Sequence, residues 1–397
     1  MQTVDGARRQ ILQGMAALPT ERVNTVATLG RVLAHDVISE RTVPAFANAS
    51  MDGYAVVAAS TLAPPQVLRV VGSVRAGHDT DGCVAQGTAM RISTGALLPV
   101  GADAVVCVED TDNGNEHVKV AVSVQAGTAV RHAGEDVTPG DAIVTAGTRL
   151  CPADLAAATA VGQVEVVVHR QPRVAILATG DELVPPGTDL RHGQVVDCIT
   201  PALAAAVCEA GGIPIMLGIA RDDPVDVRSR LQPMDQCDLI ISVGGVSVGE
   251  HDHVRDVVSE LGRIDFWRVA LRPGKPLVVG RIGGIPFIGL PGNPVSALVT
   301  FEVFVRPAIL ALQNASRVQR QHHVARLDGT VETPANLETY VRGVISNGDG
   351  PLPTVVPVST QSSGATRSLA AADCLIMVAA DVEVVEPGTT VRVIPLR

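Results

Sequence analysis

The sequence predicts a multidomain chain of α/β plus β class, with a doubly wound, mostly parallel sheet in its second half and short-strand β regions on either side. Three observations carry this. Between residues 172 and 316, apolar strands alternate with helical stretches. Those strands are apolar throughout rather than at every second position, as in a parallel sheet covered on both faces. Before and after them lie short Val-rich runs cut by Gly, Pro, Asp and Asn, the spacing of small β domains.

In chain order, residues 1–44 read as a helix and a few turns ending at "RTVPAF". Residues 45–133 hold the first β-rich region, where "DNGN" between "VVCVED" and "HVKV" signals a hairpin. Residues 134–171 add a strand and the helix "PADLAAATAVG", whose Pro152 suits a first helical turn. The α/β region follows with strands "PRVAILATG", "IPIMLGIA" and "CDLIISVGG". Their helices are "TPALAAAVCEAGG", "DDPVDVRSRLQ" and "DHVRDVVSELG". "DFWRVAL" and "PLVVGRIGGIPFIGLPG" supply more strands before the long helix "NPVSALVTFEVFVRPAILAL". Residues 317–397 return to short β runs and predict a small barrel or sandwich.

Composition narrows the function. The chain has 397 residues, 46% of them hydrophobic, enough for several cores. Aromatics are only 2% and the net charge is −10, which argues against nucleic-acid and membrane-surface partners. Seven cysteines stand singly with no C-x-x-C, so reduced, mostly buried thiols are expected rather than disulfides or a zinc site. No signal peptide and no membrane span of ~20 uninterrupted apolar residues is evident. The expectation is a soluble, cytoplasmic protein.

In a parallel sheet, ligands sit at the carboxyl ends of the strands, so the informative loops are 179–182, 220–223, 244–252 and 272–276. "SVGGVSVGEHD" is neither a G-x-G-x-x-G fingerprint nor a P-loop, lacking G-K-[ST]. Gly244 and Gly245 still let a ligand approach the backbone, and Ser247 offers a hydroxyl. Asp252 reads equally as the cap of the next helix or as a ligand to a hard cation beside a phosphate. "ATGDEL" places Gly180, Asp181 and Glu182 after a strand, and "ARDDP" places Asp222 and Asp223 likewise. Each is an ordinary turn or helix start alone. Gathered together, their carboxylates repel unless a cation joins them, which favours magnesium bound with substrate phosphates. "LRPGKP" supplies the opposite charge, with Arg272 and Lys275 around a rigid turn suited to an oxyanion. "GLPGNPVSAL" is a stiff entry to a helix, with Asn293 in the capping position.

Taken together and in order, "MDGYAV", "ISTGA", "GEDV", "TGDEL", "RDDP", "GGVSVGEHD", "RPGKP" and "GLPGNPVSA" resemble the molybdopterin molybdenumtransferase family, which includes the bacterial MoeA proteins and the gephyrin E domain. The resemblance implies an elongated chain. Its parts would be an N-terminal domain (1–44 and 134–171), an inserted β-rich domain (45–133), a molybdopterin-binding α/β domain (172–316) and a C-terminal β domain (317–397). It implies a homodimer whose cleft joins the α/β domain of one subunit to the β-rich domain of the other. Other molybdenum-cofactor biosynthesis proteins are further partners.

The implied reaction inserts molybdenum from molybdate into the dithiolene of adenylylated molybdopterin, with magnesium-dependent release of AMP. By motif, Asp222 and Asp252 would hold magnesium. Gly180, Asp181, Glu182, Gly244, Gly245 and Ser247 would line the substrate pocket, as would Pro291, Asn293 and Ser296. Arg272, Lys275 and Pro276 match the molybdate-side turn, and Arg342 and Ser363 match contributions from the C-terminal domain. Asp52, Thr94 and Asp136 match loops reaching across from the partner, and Asp52, Asp136, Asp252 and Lys275 are the implied catalytic set. The sequence departs from the family where Arg272 replaces a common lysine, which keeps charge but changes donor geometry. It departs again where Cys198 and Ile199 follow Asp197. The readings weighed against this one are a generic nucleotide-dependent transferase, a dinucleotide oxidoreductase and a non-enzymatic molybdopterin-binding or scaffold paralogue on the same fold.

Overall fold

The computed structural model describes residues 1–79, 81–231, 236–246, 253–346 and 350–397. Its centre is a six-stranded sheet in the order Ile213–Ala220, Arg173–Thr179, Leu239–Val243, Ile285–Leu290, Val278–Ile282, Gly262–Trp267. The first four strands run parallel, Val278–Ile282 runs antiparallel to them, and Gly262–Trp267 pairs antiparallel with Val278–Ile282. The antiparallel edge arises at Gly283-Gly284, both at positive φ (54° and 89°). A two-residue turn of that kind matches the strand twist and folds the chain straight back.

Strand Arg173–Thr179 explains why the sheet is covered twice. Successive side chains point to opposite faces, so Val174 and Ile176 enter one core while Ala175 and Leu177 enter the other. The first core receives the helix Ile199–Glu209 through Leu203 and Val207, and the composite helix Pro294–Leu312. The second receives Val227 of helix Pro224–Arg230 and Val254, Val257 and Val258 of helix His253–Leu261. Pro294–Leu312 is apolar and long enough to cross a membrane, but it is mostly buried here and is a core helix. Helix Val4–Gln13 also buries Val4, Ala7 and Ile11 in the first core, far along the chain from the strands it covers.

Among the described residues, strand Ile213–Ala220 has one neighbour, and it leaves Ile213 and Met216 exposed although its sequence reads as a fully covered strand. Pro214 and a register shift opposite Ile176 and Leu177 blunt this edge against further pairing.

Around this centre lie the smaller units. Thr20–Asn24 pairs with Glu165–His169 and Val37–Ile38 with Ala142–Val144, around a core that includes Leu33, Leu150 and Val168. The β-rich region is a five-stranded sheet in the order Ala104–Cys107, Gly53–Val56, Thr88–Ile92, Gln66–Val74, His117–Val120. The expected "DNGN" reversal is present but shorter than the sequence suggests. Thr111 bridges Val120, while Ala104–Cys107 and His117–Val120 occupy opposite edges. A 3-10 turn at Val108–Asp110 redirects the chain between them.

The C-terminal strands Glu338–Ser346, Thr354–Pro357, His323–Leu327, Thr390–Pro395 and Cys374–Val378 close into a five-stranded barrel. Closure removes exposed edges. The cysteine expectation needs correction. None of the seven is in a disulfide, but only Cys374 is buried, whereas Cys83, Cys151, Cys198 and Cys208 are exposed. Most sit in loops and at helix ends, where local apolar pattern says little about burial.

Candidate active site

The loops after three neighbouring strands, 213–220, 173–179 and 239–243, meet at the carboxyl edge of the central sheet. They open into a cavity of about 590 Å³, within the roughly 300–1,000 Å³ usual for small-molecule sites. Gly180, Glu182, Asp222, Gly244, Gly245 and Asn293 line it, so six of the expected residues do come together. Ser247 and Asp252 lie outside the described residues.

The glycines are set by close approach. Gly244 and Gly245 have φ of +86° and +64°. A Cβ on Gly244 would sit 2.7 Å from the Thr179 carbonyl oxygen, and one on Gly245 would sit 2.5 Å from Val254 Cγ2. Gly245→Ala is therefore expected to lower stability by about 1–3 kcal/mol through strain and overpacking, read as a reduced urea midpoint at unchanged m-value.

The acids are held by backbone. Asp181 N donates to Asp222 Oδ2 at 3.4 Å, and Asp222 N donates to Asp181 Oδ1 at 3.3 Å, tying two strand ends together. Asp181 braces the rim without lining the cavity, while Glu182 and Asp222 face it. Asp223 takes the capping role, accepting from Val225 N and Asp226 N. No group of three or more His, Cys, Asp or Glu that could hold a metal is found among the described residues. Asn293 occupies the N-cap position of helix Pro294–Thr300 but makes no side-chain cap bond. Pro291 and Ser296 are buried behind it and are not in the lining.

One side of the cavity is built by residues outside the expected site set. Val195, Val196, Asp197, Cys198 and Ile199 form it. The buried Asp197 carboxylate accepts from Ile199 N, Thr200 N and Thr200 Oγ1, and so starts the helix Ile199–Glu209. The run "VVDC" has a turn-like acid before a helix, the signal that could have pointed there.

The basic turn lies elsewhere. Arg272 lines a second cavity, of about 260 Å³, together with Glu332, Arg342 and Gln361. Among the described residues, Gly244 and Gly245 line one cavity and Arg272 another. The reason is topological: Leu271–Arg272 pairs with Glu338 and Thr339 and so belongs to the barrel's edge, not to the central sheet. Lys275 is exposed, and neither it nor Pro276 lines either cavity.

Arg342 is 1% exposed. Its Nη1 donates to the Ser362 carbonyl at 3.1 Å and its Nη2 to the Thr360 carbonyl at 3.0 Å. Its Nε has no hydrogen-bond partner, and burial pushes its pKa below the ordinary guanidinium value. Ser363 lines neither cavity, but its carbonyl accepts from Val295 N, and Gly364 and Thr366 line the first cavity.

In the β-rich unit, Asp52 Oδ1 accepts from Thr94 N at 2.7 Å and Thr94 Oγ1 at 3.0 Å. Those bonds hold its carboxyl below the usual range, the backbone N–H foremost. Asp136 lines a third cavity, of about 570 Å³, with Arg131 and Glu135.

Residues 2–162 match the MoeA N-terminal region (domain I and II), 175–311 a probable molybdopterin binding domain, and 324–396 the MoeA C-terminal region (domain IV). The chain is 36% identical over 404 residues to molybdopterin molybdenumtransferase 2 of Mycobacterium tuberculosis, covering 99% of both chains. The chain belongs to the molybdopterin molybdenumtransferase family. A second member of the family, from Haemophilus influenzae, is 34% identical over 403 residues, covering 100% of this chain and 98% of its own. Among solved structures, a molybdopterin biosynthesis MoeA protein from Pyrococcus horikoshii superposes with a TM-score of 0.77 at 34% identity, covering 100% of this chain and 99% of its own. Most residues lining the glycine-and-acid cavity of this molybdenumtransferase family member fall within the match to the probable molybdopterin binding domain, and Gly364 and Thr366 fall within the match to the C-terminal region.

Proposed function

We propose that the protein is a molybdopterin molybdenumtransferase that takes molybdate and adenylylated molybdopterin, inserts molybdenum into the dithiolene and releases AMP. The observation that carries this reading is the convergence of Gly180, Glu182, Asp222, Gly244, Gly245 and Asn293 on one cavity of substrate size.

In this reading the larger cavity takes the adenylyl-pterin. The glycines permit close approach of its phosphates to backbone, with the start of helix Pro294–Thr300 beside them, where a Cβ on Gly292 would lie 3.6 Å from Gly244 Cα. Magnesium fits this donor set. Two carboxylates, Glu182 and Asp222, face the same space with no described cation between them, and magnesium commonly takes one or two carboxylates plus substrate phosphates. Asp222 and Asp252 would hold it, and when bound it neutralises phosphate charge and favours cleavage of the phosphoanhydride.

The smaller cavity takes the oxyanion. Arg272 lines it and Lys275 is exposed on the same turn, with the buried Arg342 charge behind. Two unit charges 4 Å apart interact by about 4 kcal/mol at an effective dielectric of 20. Cations beside molybdate therefore offset its repulsion from a phosphate-bearing substrate. Catalysis is then mainly positioning and charge neutralisation.

The chain works as a homodimer in the cytoplasm, with Asp52, Thr94 and Asp136 completing the cleft of the partner. The four domains take the boundaries 1–44 with 134–171, 45–133, 172–316 and 317–397. Protein partners are other molybdenum-cofactor biosynthesis proteins.

The test is direct. Purified protein incubated with adenylylated molybdopterin, molybdate and magnesium should release AMP and yield molybdenum-loaded pterin. Binding of the pterin without AMP release would identify a scaffold paralogue and end the enzymatic reading.

A further inference from the structure

The smaller cavity is lined by charge of both signs. Two short strands from different parts of the chain bring it there. In Leu271–Arg272, Leu271 is buried in the core of the central sheet while Arg272 is exposed in the cavity lining. In Val331–Glu332, which pairs with Val384–Val385, Val331 belongs to the barrel core while Glu332 is exposed in the lining. Successive side chains of a strand point to opposite faces, so burying the apolar residue of each pair presents the charged one. Neither the Arg272 guanidinium nor the Glu332 carboxylate has a hydrogen-bond or ion-pair partner among the described residues. Behind them Arg342 holds the wall, with its Nη atoms on the Thr360 and Ser362 carbonyls and its Nε without a partner.

The other titratable groups nearby are otherwise engaged or face away. Tyr340 lines the cavity, but its hydroxyl donates to Glu338 Oε1 at 2.6 Å, and burial foremost pushes its pKa up, so it keeps its proton. Glu338 itself does not line the cavity. Lys275 is exposed on the Arg272 turn, and Glu383 adjoins the strand paired with Val331–Glu332; neither lines the cavity. Glu332 is therefore the one carboxylate among the described residues of the lining. A guanidinium attracts an oxyanion and a carboxylate repels it. A dianion brought beside a carboxylate favours the protonated acid, and that acid donates a hydrogen bond where the carboxylate has none to give.

We propose that the smaller cavity takes a tetrahedral oxyanion together with one proton, and that Glu332 holds the proton against the ligand. The proposal rests on the reading above, in which molybdate occupies this cavity, and adds the proton to it. A proton taken up with the oxyanion extends the neutralisation that Arg272 begins.

Calorimetry tests it. Sodium molybdate is titrated into the full-length protein at neutral pH in buffers of different ionisation heat, which yields the protons taken up per molybdate bound. Wild type is expected to take up about one, Glu332→Gln none, and Glu332→Asp a value near that of wild type. Glu332 is exposed, so these variants should keep the fold. The bound state carries the extra proton, so wild-type affinity is greatest at low pH and falls as pH rises, by up to about tenfold per pH unit. In Glu332→Gln the affinity should stay level over the same range. At its alkaline end the variant should bind more tightly than wild type, because the repelling charge is gone. Molybdate bound by wild type without proton uptake, or with equal uptake by Glu332→Gln, overturns the proposal and leaves the assigned function standing. Molybdate bound by neither protein overturns the oxyanion reading of this cavity, and the proposal with it.

Discussion

Asp222→Ala is expected to cut magnesium-dependent AMP release by a factor on the order of 10² or more, the scale of losing one charge-stabilising group in a shielded site. The fold should survive. The hydrogen bond lost with the side chain, from Asp181 N at 3.4 Å, is long, and removing it costs at most about 1 kcal/mol. Asp222→Asn sharpens the test, because it keeps an acceptor for Asp181 N and removes only the charge. Both variants should need far more magnesium for half-maximal release. Wild-type magnesium dependence in Asp222→Asn would exclude Asp222 as a metal ligand. By the family motif, Asp252→Ala should behave in the same way.

Arg342→Ala is expected to act on a different quantity, the stability of the barrel and of the wall built on it. The side chain is fully buried, and its removal takes a donor from each of the Thr360 and Ser362 carbonyls, the second of which keeps a bond from Ala365 N. Hydrogen bonds to a charged group contribute about 1.5–3 kcal/mol each; losing two, less the desolvation cost of the buried guanidinium, predicts a net loss of about 2–5 kcal/mol. Arg342→Lys should fall between wild type and alanine, since a single ammonium cannot match the planar fork that reaches both carbonyls. Urea unfolding gives the stability change, and molybdate titration of the still-folded protein reports on the cavity. A melt and a titration both unchanged in Arg342→Ala would refute the role given to this arginine.

The two variants separate what the sequence disclosed from what it hid. Asp222 was legible because its meaning is local: an acid two residues beyond the end of an apolar strand, in a sheet whose strand ends must share an edge. The same logic found Gly180, Glu182, Gly244 and Gly245. Arg342 was legible only as a motif residue. Its burial depends on Thr360 and Ser362, eighteen and twenty residues away, and no periodicity encodes that. Arg272 was placed after a strand of the central sheet, whereas Leu271–Arg272 pairs with the barrel instead. Two-residue strands carry too little pattern to announce their partner. The β-rich sheet makes the same point, since Ala104–Cys107 and His117–Val120 flank a turn signal yet occupy opposite edges.

The sequence by itself determined which residues face a core, where strands end in glycine and carboxylate, and the family to which the motif order belongs. These follow from residue period and from loop chemistry within a few positions. Only the tertiary structure decided that Arg272 lines one cavity while Gly244 and Gly245 line another, and that a buried arginine holds the carbonyls of Thr360 and Ser362. Those outcomes depend on which distant segments win the unpaired backbone of a closing barrel, and hydrogen-bond competition of that kind is resolved only when the whole chain has packed.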